Sequence, residues 1–367
     1  MTQPTMAPKK CSLCSLPAEI GRYCEDCGGD LVEEPTPVAS VPDDGDATAA
    51  LPVTVLAEQE EPETPPAGWI SSAAEVDNPD HPGGSSDHAE FRHGNIGAGT
   101  DVGKRHHYNQ DSIAAGHSEA GHAFAVVCDG VSGATDSERA SLAGTEASAQ
   151  AMLEALNAGE LPEAASQRAV EAAHAAVAEV GRQYPDSPPS CTYVSAITDG
   201  DEVVICWVGD SRVYWAGADQ SNELTVDDTI AARLDYAGAD PNDERYKSPY
   251  AKALLAWLGA DAPNLNPNLI RLTVDGGHIV VCSDGLSRYF SGPGDLAPLP
   301  EGDVSAKTVA LIGKALQCGG HDNISVAVIE LSPPQPIGGP VVDIQEGTTK
   351  LRVDSEAEGT TLLRGGR

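Results

Sequence analysis

In the stretch VVCDGVSG, residues 126–133, an apolar run is followed by an aspartate and two glycines. It belongs to a longer apolar run, FAVVC at 124–128, and a helical pattern begins near Ser137. A short apolar run bounded by turn residues predicts a buried strand. The chain therefore places an acidic side chain, Asp129, where a buried strand ends in a glycine turn.

Three further segments repeat this arrangement of an aspartate beside an apolar strand: ICWVGDSR at 205–212, VVCSDGL at 280–286, and GGHDN at 319–323. Because the strand pattern resumes at 213–215, the first of them is predicted to be a tight hairpin. A single Asp-Gly after a strand is ordinary turn chemistry. Four converging carboxylates would instead repel and protonate unless hard divalent cations such as Mg or Mn neutralised them. We therefore expect an acid-rich metal site suited to phosphoryl chemistry.

Composition divides the chain into parts. Residues 31–89 contain no Lys or Arg and few aromatic residues, which predicts a disordered acidic linker ahead of a globular part. The net charge of -34 argues against nucleic acid as a partner. No apolar run approaches the ~20 residues needed to cross a bilayer, and the N-terminus lacks a signal-peptide pattern. The sequence thus predicts a cytoplasmic protein without a membrane partner.

Residues 1–30 carry two C-x-x-C pairs, formed by Cys11, Cys14, Cys24 and Cys27. This spacing suits a tetrahedral thiolate site for structural Zn²⁺, whose binding would supply most of the folding free energy of so short a segment. The alternative is a redox or disulfide role. The segment resembles the small zinc ribbons of bacterial regulatory proteins, which implies docking or assembly.

The aspartate segments, in their order, resemble the signature motifs of the bacterial type 2C metal-dependent serine/threonine protein phosphatases. The resemblance covers about residues 90–332. The motifs that carry it are Asn109-Gln110-Asp111, Asp129-Gly130, Gly209-Asp210-Ser211-Arg212, Ser283-Asp284-Gly285 and Asp322-Asn323.

The resemblance implies an α+β fold, a four-layer antiparallel β-sandwich flanked by helices. The local pattern agrees, because Ala-rich helical stretches alternate with short apolar strands. Residues 218–262 fall where the family carries a mobile flap, although an ordinary surface insertion fits the sequence as well. Helices are expected at 137–158, 162–183 and 304–317, and strands at 122–128, 191–198, 202–208, 278–283 and 324–331.

By analogy with that family, Asp129 bridges two core Mn²⁺ or Mg²⁺ ions and the Gly130 carbonyl binds one of them. Asp284 and Asp322 complete the other, and Asp210 with Asp284 holds a third, weaker ion. Water bridging the core ions would attack phosphoserine or phosphothreonine in protein substrates without a covalent enzyme intermediate. The implied catalytic aspartates are Asp129, Asp284 and Asp322.

Two positions depart from the family pattern. Gln110 replaces the Glu that precedes Asp111, so the metal set that includes these two residues is expected to bind its second ion less tightly. His106 stands where the family has the arginine that grips phosphate, with Arg105 beside it. Either cation could bind the substrate phosphate, or both could be surface residues. Two functions follow: an active phosphatase in bacterial signalling, or an impaired scaffold that binds partners through the zinc ribbon and tail.

The tail at 333–367 repeats the sequence EGTT at 346–349 and 358–361. It is predicted to be a flexible, disordered polar segment. Alternatively, a Ser/Thr kinase phosphorylates these threonines, and a phosphothreonine-binding module or the active site then binds them.

Overall fold

The computed structural model describes residues 66–73, 84–131, 136–240, 242–248, 250–262, 264–290 and 292–331, together with three short strands near the N-terminus. These are β1 (Lys9–Cys11), β2 (Pro17–Ala18) and β3 (Leu31–Glu33), which pair as an antiparallel three-stranded sheet. Cys11 ends β1, while the other three predicted zinc ligands and the tail threonines lie outside the described residues.

The remaining strands and helices follow in chain order. The strands are β4 (Gly68–Ser71), β5 (His88–His93), β6 (Ile96–Asp101), β7 (Asp111–His117), β8 (Ala123–Asp129), β9 (Ser190–Cys191), β10 (Tyr193–Asp199), β11 (Glu202–Val208), β12 (Arg212–Ala216), β13 (Ser221–Glu223), β14 (Leu258–Gly259), β15 (Asn268–Thr273), β16 (His278–Cys282) and β17 (Ile324–Glu330). The helices are α1 (Ser137–Asn157), α2 (Pro162–Gly181), α3 (Ile230–Tyr236), α4 (Asp284–Ser287) and α5 (Val304–Gln317), with 3₁₀ turns at Glu244–Lys247 and Pro293–Leu296.

Two six-stranded sheets face each other. The first has the order β15-β11-β10-β8-β7-β4 and the second β13-β12-β16-β17-β6-β5, and every pairing within them is antiparallel. A two-stranded pairing of β9 with β14 lies beside them. Helices cover both outer faces, so the architecture has four layers.

Strand β8 shows why the inner strands read as continuous apolar runs. Side chains alternate between the two faces of a strand. Phe124 and Val126 pack into the cluster under α1 and α2, whereas Ala125 and Val127 pack into the cluster between the sheets. Both faces are buried, which confirms the predicted buried strand.

Helix α5 covers the second sheet as α1 and α2 cover the first. Leu311 and Ile312 of α5 pack against Val326 and Val328 of β17 in a third cluster. These layers confirm the expected α+β sandwich flanked by helices, and the three long helices lie where the sequence predicted them. Among the helices of the described residues, none is long and apolar enough to cross a membrane.

The predicted hairpin around Asp210 is wrong. Strand β11 belongs to the first sheet and β12 to the second, so the turn between them crosses the sandwich. Gly209 has a φ of 110°, and Asp228 accepts a hydrogen bond from its N–H at 3.1 Å. The turn therefore owes its path to the distant residue Asp228, which local sequence does not reveal.

The predicted linker at 31–89 is also wrong at three places. Strand β3 joins the N-terminal sheet, β4 forms the edge of the first large sheet, and β5 begins at His88. In β4, Trp69 pairs with Gly116, where a Cβ would lie 2.7 Å from that of Trp69. Average composition over a long acidic stretch conceals such a short edge strand, because a single aromatic residue, Trp69, packs it against the core.

Candidate active site

Asp111 and Asp129 face each other across two neighbouring strands. Asp111 is the first residue of β7, Asp129 is the last of β8, and the antiparallel register places them directly opposite. Directly opposed side chains on antiparallel strands have Cβ atoms about 5 Å apart, and like charges there destabilise the pair. Asp111 is 1% exposed, so water screens this repulsion poorly.

Asp284 and Asp322 come from the second sheet. Asp284 begins α4 directly after β16, and Asp322 stands just before the adjacent strand β17. Between them the backbones touch, because a Cβ on Gly285 would lie 1.8 Å from the carbonyl oxygen of Asn323. A glycine at 285 therefore permits the close approach that brings the two acids together.

Asp210 lies in the turn that crosses between the sheets. Thr192 connects this turn to Asp129, since its hydroxyl accepts a hydrogen bond from the Asp129 N–H at 3.2 Å and lies 2.8 Å from the Ser211 hydroxyl. The Thr192 N–H also donates to the Asp129 carbonyl at 2.8 Å. Thr192 thus links Asp129 to Ser211, the residue that follows Asp210.

The five aspartates form a single electrostatic cluster. Burial raises the pKa of Asp129 well above its usual value, and the charges of Asp111, Asp284, Asp210 and Asp322 raise it further. Burial and neighbouring carboxylates likewise raise the pKa of Asp111 to about 7 and that of Asp210 to about 7. Burial also raises the pKa of Asp284. This mutual repulsion shows that the predicted acids converge.

The donor set suits a divalent cation. Both carboxylate oxygens of Asp111 are buried without a hydrogen-bond partner, although the hydroxyls of Ser283 and Ser325 are near enough to lower its pKa somewhat. A buried carboxylate without partners is costly unless it is neutralised. Oxygen ligands with several negative charges are the ligands that Mg²⁺ and Mn²⁺ prefer. The residues present therefore fit such ions.

The side chains do not stand as a closed ligand set. Within the described ranges, no group of three or more His, Cys, Asp or Glu side chains forms a ready-made metal site. Two of the acids contact basic side chains instead. Arg288 lies 3.1 Å from Asp284 and 3.1 Å from Asp322, and His106 lies 3.1 Å from Asp322.

The loop that carries His106 rests on the turn at Asp322. The Asn323 side chain donates to the Val102 carbonyl at 2.8 Å and accepts from the Gln110 N–H at 2.9 Å. His106 consequently reaches the acid cluster, and its predicted role as a phosphate ligand stays a prediction. Arg105 is exposed, and it makes no ion pair with any residue that the structure describes.

Gln110 and Gly130 fasten the first sheet to α1. The Gln110 side-chain amide donates to the Ser137 hydroxyl. The backbone carbonyl of Gln110 accepts from the Gly130 N–H at 3.1 Å. A Cβ on Gly130 would lie 2.7 Å from that carbonyl, so only glycine fits there. The contacts give both residues a structural role, and their predicted role as metal ligands stays a prediction.

Several cationic residues beside the acids were not predicted. A cavity of about 560 Å³ opens next to Asp210 and Asp284, between the second sheet and α3. Arg212, Lys252 and Arg288 line it. Helical spacing could have indicated Arg288, because it follows Asp284 by four residues.

Comparison with known proteins gives a consistent result. The family model described as Protein phosphatase 2C matches residues 98–303. The serine/threonine phosphatase stp of Listeria innocua is 27% identical over 256 residues, covering 66% of this chain and 95% of that protein. PstP of Mycobacterium tuberculosis, a serine/threonine protein phosphatase, is 29% identical over 165 residues, which is 44% of this chain and 32% of PstP.

Solved structures agree with this result. The S. agalactiae serine/threonine phosphatase has a TM-score of 0.56 and 26% identity, over 65% of this chain and 99% of that one. The catalytic domain of PstP in complex with two manganese ions has a TM-score of 0.50 and 26% identity, over 64% of this chain and 96% of that one. The fold and the acid cluster define a phosphatase-type metal centre. The chain belongs to the protein phosphatase 2C family.

Proposed function

We propose that this chain hydrolyses phosphoserine and phosphothreonine in proteins with the help of bound Mn²⁺ or Mg²⁺. The observation that carries the proposal is the convergence of four other aspartates, from both sheets, on Asp129, whose pKa their charges raise. Its relatives with the same fold are serine/threonine phosphatases, one of them with two manganese ions bound.

The cations, when bound, supply Lewis-acid polarisation of the phosphoryl group and lower the pKa of water. The residues of the chain provide the rest. Asp129, Asp284 and Asp322 hold the ions, with Asp210 and Asp284 for a third. Asp111 stands opposite Asp129 with both carboxylate oxygens buried, and it would join the ligand set together with Gln110. His106, which lies 3.1 Å from Asp322, would bind the substrate phosphate beside the ions.

The decisive experiment measures hydrolysis of p-nitrophenyl phosphate and a phosphothreonine peptide with MnCl₂ or with EDTA. We expect activity that requires manganese and is lost in Asp129→Asn. Asp199→Asn is the matched control, because Asp199 also ends a strand of the first sheet but is 65% exposed and far from the cluster. Full activity in Asp129→Asn would refute the proposal.

The alternative, an impaired scaffold, makes a different prediction. It requires the wild-type chain to show no metal-dependent hydrolysis of either substrate while it still binds partners. Two departures from the family pattern motivate it: Gln110 stands where the family has Glu, and His106 stands where the family has Arg. The electrostatic cluster favours the enzyme, since a site that had lost its function would have no reason to keep five repelling carboxylates.

We also propose roles for the segments outside the described residues. The four N-terminal cysteines would bind one Zn²⁺ and serve in docking, and zinc analysis of the purified chain would test this. A chain without zinc under reducing conditions would rule it out. We propose a cytoplasmic protein whose tail threonines are modified by a Ser/Thr kinase or bound by a phosphothreonine-binding module; mass spectrometry of the native protein tests the modification.

A further inference from the structure

Arg288 forms ion pairs with two of the clustered aspartates. It is the only Lys or Arg in the described ranges whose side-chain nitrogens lie within salt-bridge distance of the clustered aspartates. One guanidinium nitrogen donates to Asp284 at 3.1 Å, and the other terminal nitrogen lies 3.1 Å from Asp322. The side chain therefore spans the two acids that the second sheet supplies.

Local structure fixes this position. Arg288 is the C-terminal cap of α4, and its N–H donates to the carbonyl of Asp284. A four-residue helix allows its side chain little choice of direction, and the i,i+4 spacing directs it back to Asp284. The guanidinium is 29% exposed, so it meets both the acid cluster and solvent.

The adjoining cavity shows what the exposed side of Arg288 faces. The cavity of about 560 Å³ is lined by Arg288 together with Asp210, Asp284 and Lys252. Of its two other cations, Arg212 is already committed to a two-pronged pair with Asp227, and Lys252 lies near enough to Asp284 to lower the pKa of that carboxyl. Arg288 thus stands between the acids and a space of the size that a phosphorylated side chain needs.

We propose that Arg288 binds the phosphate group of the substrate, taking the gripping role that His106 fills only in part; this rests on the proposed function. Guanidinium groups match phosphate oxygens with paired N–H donors, and the two carboxylate contacts leave several of these donors available. Asp284 and Asp322 would hold the cations, and Arg288, which pairs with both acids, would then stand beside the cations with its remaining N–H donors free for the phosphate dianion. Arg288 therefore contacts substrate at the mouth of the cavity.

Phosphate binding separates this role from a merely structural one. Inorganic phosphate is titrated into the manganese-loaded full chain by calorimetry, and its product-inhibition constant is measured with a phosphothreonine peptide. In Arg288→Ala we expect the phosphate dissociation constant, the inhibition constant and KM to rise about tenfold or more. Because the group binds substrate and not only the transition state, kcat should change less than KM. Arg288→Lys should recover part of the loss.

Arg182→Ala is the matched control, since Arg182 also caps a helix C-terminus and pairs with an acid one turn back, Glu179, but its side chain is 71% exposed and pairs with none of the clustered aspartates. Manganese affinity is measured on the same samples. The role of Arg288, but not the proposed function, would be overturned if the phosphate constants stayed unchanged in an active Arg288→Ala chain. Weaker manganese binding as the sole effect would overturn it as well. A wild-type chain inactive with manganese would instead refute the proposed function.

Discussion

Asp111 and Asp129 lie directly opposite each other in the antiparallel register of β7 and β8, with the Asp111 carboxylate buried and without a hydrogen-bond partner. A like-charge pair at such a position destabilises a sheet. The strands can tolerate the pair where a counter-ion offsets the repulsion, so the stability of the chain should depend on bound metal.

The stability of the metal-free chain should fall as pH rises. Burial raises the pKa of Asp111 to about 7 from 3.8 in the unfolded chain, so the folded state binds more protons between these values. Its free energy of unfolding therefore decreases across that window. Melting in EDTA from about pH 5 to about pH 8 should show this slope, and Asp111→Asn should flatten it. Equal slopes in both proteins would contradict the prediction, and added manganese should reduce the slope in wild type.

Gly285→Ala should disrupt the site and the fold together. The added Cβ would meet the Asn323 carbonyl at 1.8 Å, which forces apart the backbones that carry Asp284 and Asp322. We expect a loss of at least about 3 kcal/mol in unfolding free energy and a smaller manganese-induced rise in Tm. In the control Gly313→Ala, nothing lies within 4 Å of the new Cβ, and the helix should gain up to ~1 kcal/mol. Wild-type behaviour of Gly285→Ala would refute the close approach.

Gln110→Glu should tighten manganese binding severalfold, because an added carboxylate raises the charge of the ligand set. It should also lower the Tm of the metal-free chain, since it removes the amide that donates to Ser137 and adds charge to a buried position. Calorimetric titration of manganese measures the first effect and melting in EDTA the second. The exposed substitution Gln183→Glu adds the same charge and should do neither. Manganese affinity that stays unchanged would count against Gln110 as part of the metal site.

Arg212→Lys should destabilise the structure beside the cavity by about 1–3 kcal/mol. Arg212 donates through two nitrogens to Asp227, at 2.9 and 2.8 Å, and through a third to Glu223 at 3.0 Å. A lysine cannot reproduce that fork. Arg271→Lys is the control, because Arg271 also joins two acids but is 41% exposed, where ion pairs contribute about 1 kcal/mol or less. Urea unfolding compares the two, and equal losses would contradict the prediction.

The sequence predicts most of the fold because each inner strand is buried on both faces and each long helix is Ala-rich. Strand ends at turns marked by glycine or asparagine also predict four of the clustered acids, Asp129, Asp210, Asp284 and Asp322, whereas Asp111 is indicated only by the family resemblance. The sequence does not predict that β11 and β12 belong to different sheets. A hairpin and a cross-sheet turn share the same local residues, and here the contact of Gly209 with Asp228 decides between them.

The pairing of Arg288 with Asp322 could not be predicted from the sequence, because it too depends on contacts between distant residues. Its pairing with Asp284 follows helical spacing, whereas Asp322 approaches only after β16 and β17 have aligned. Strand β4 is missed because one edge strand hardly alters the composition of a long acidic stretch.

The acids come from both halves of the sandwich, Asp111 and Asp129 from the first sheet and Asp284 and Asp322 from the loops that flank the second. A cation bound among them would hold the two layers together. Starvation for divalent ions would then do more than silence the chain: it would loosen the sandwich and shorten the lifetime of the protein against cellular proteases.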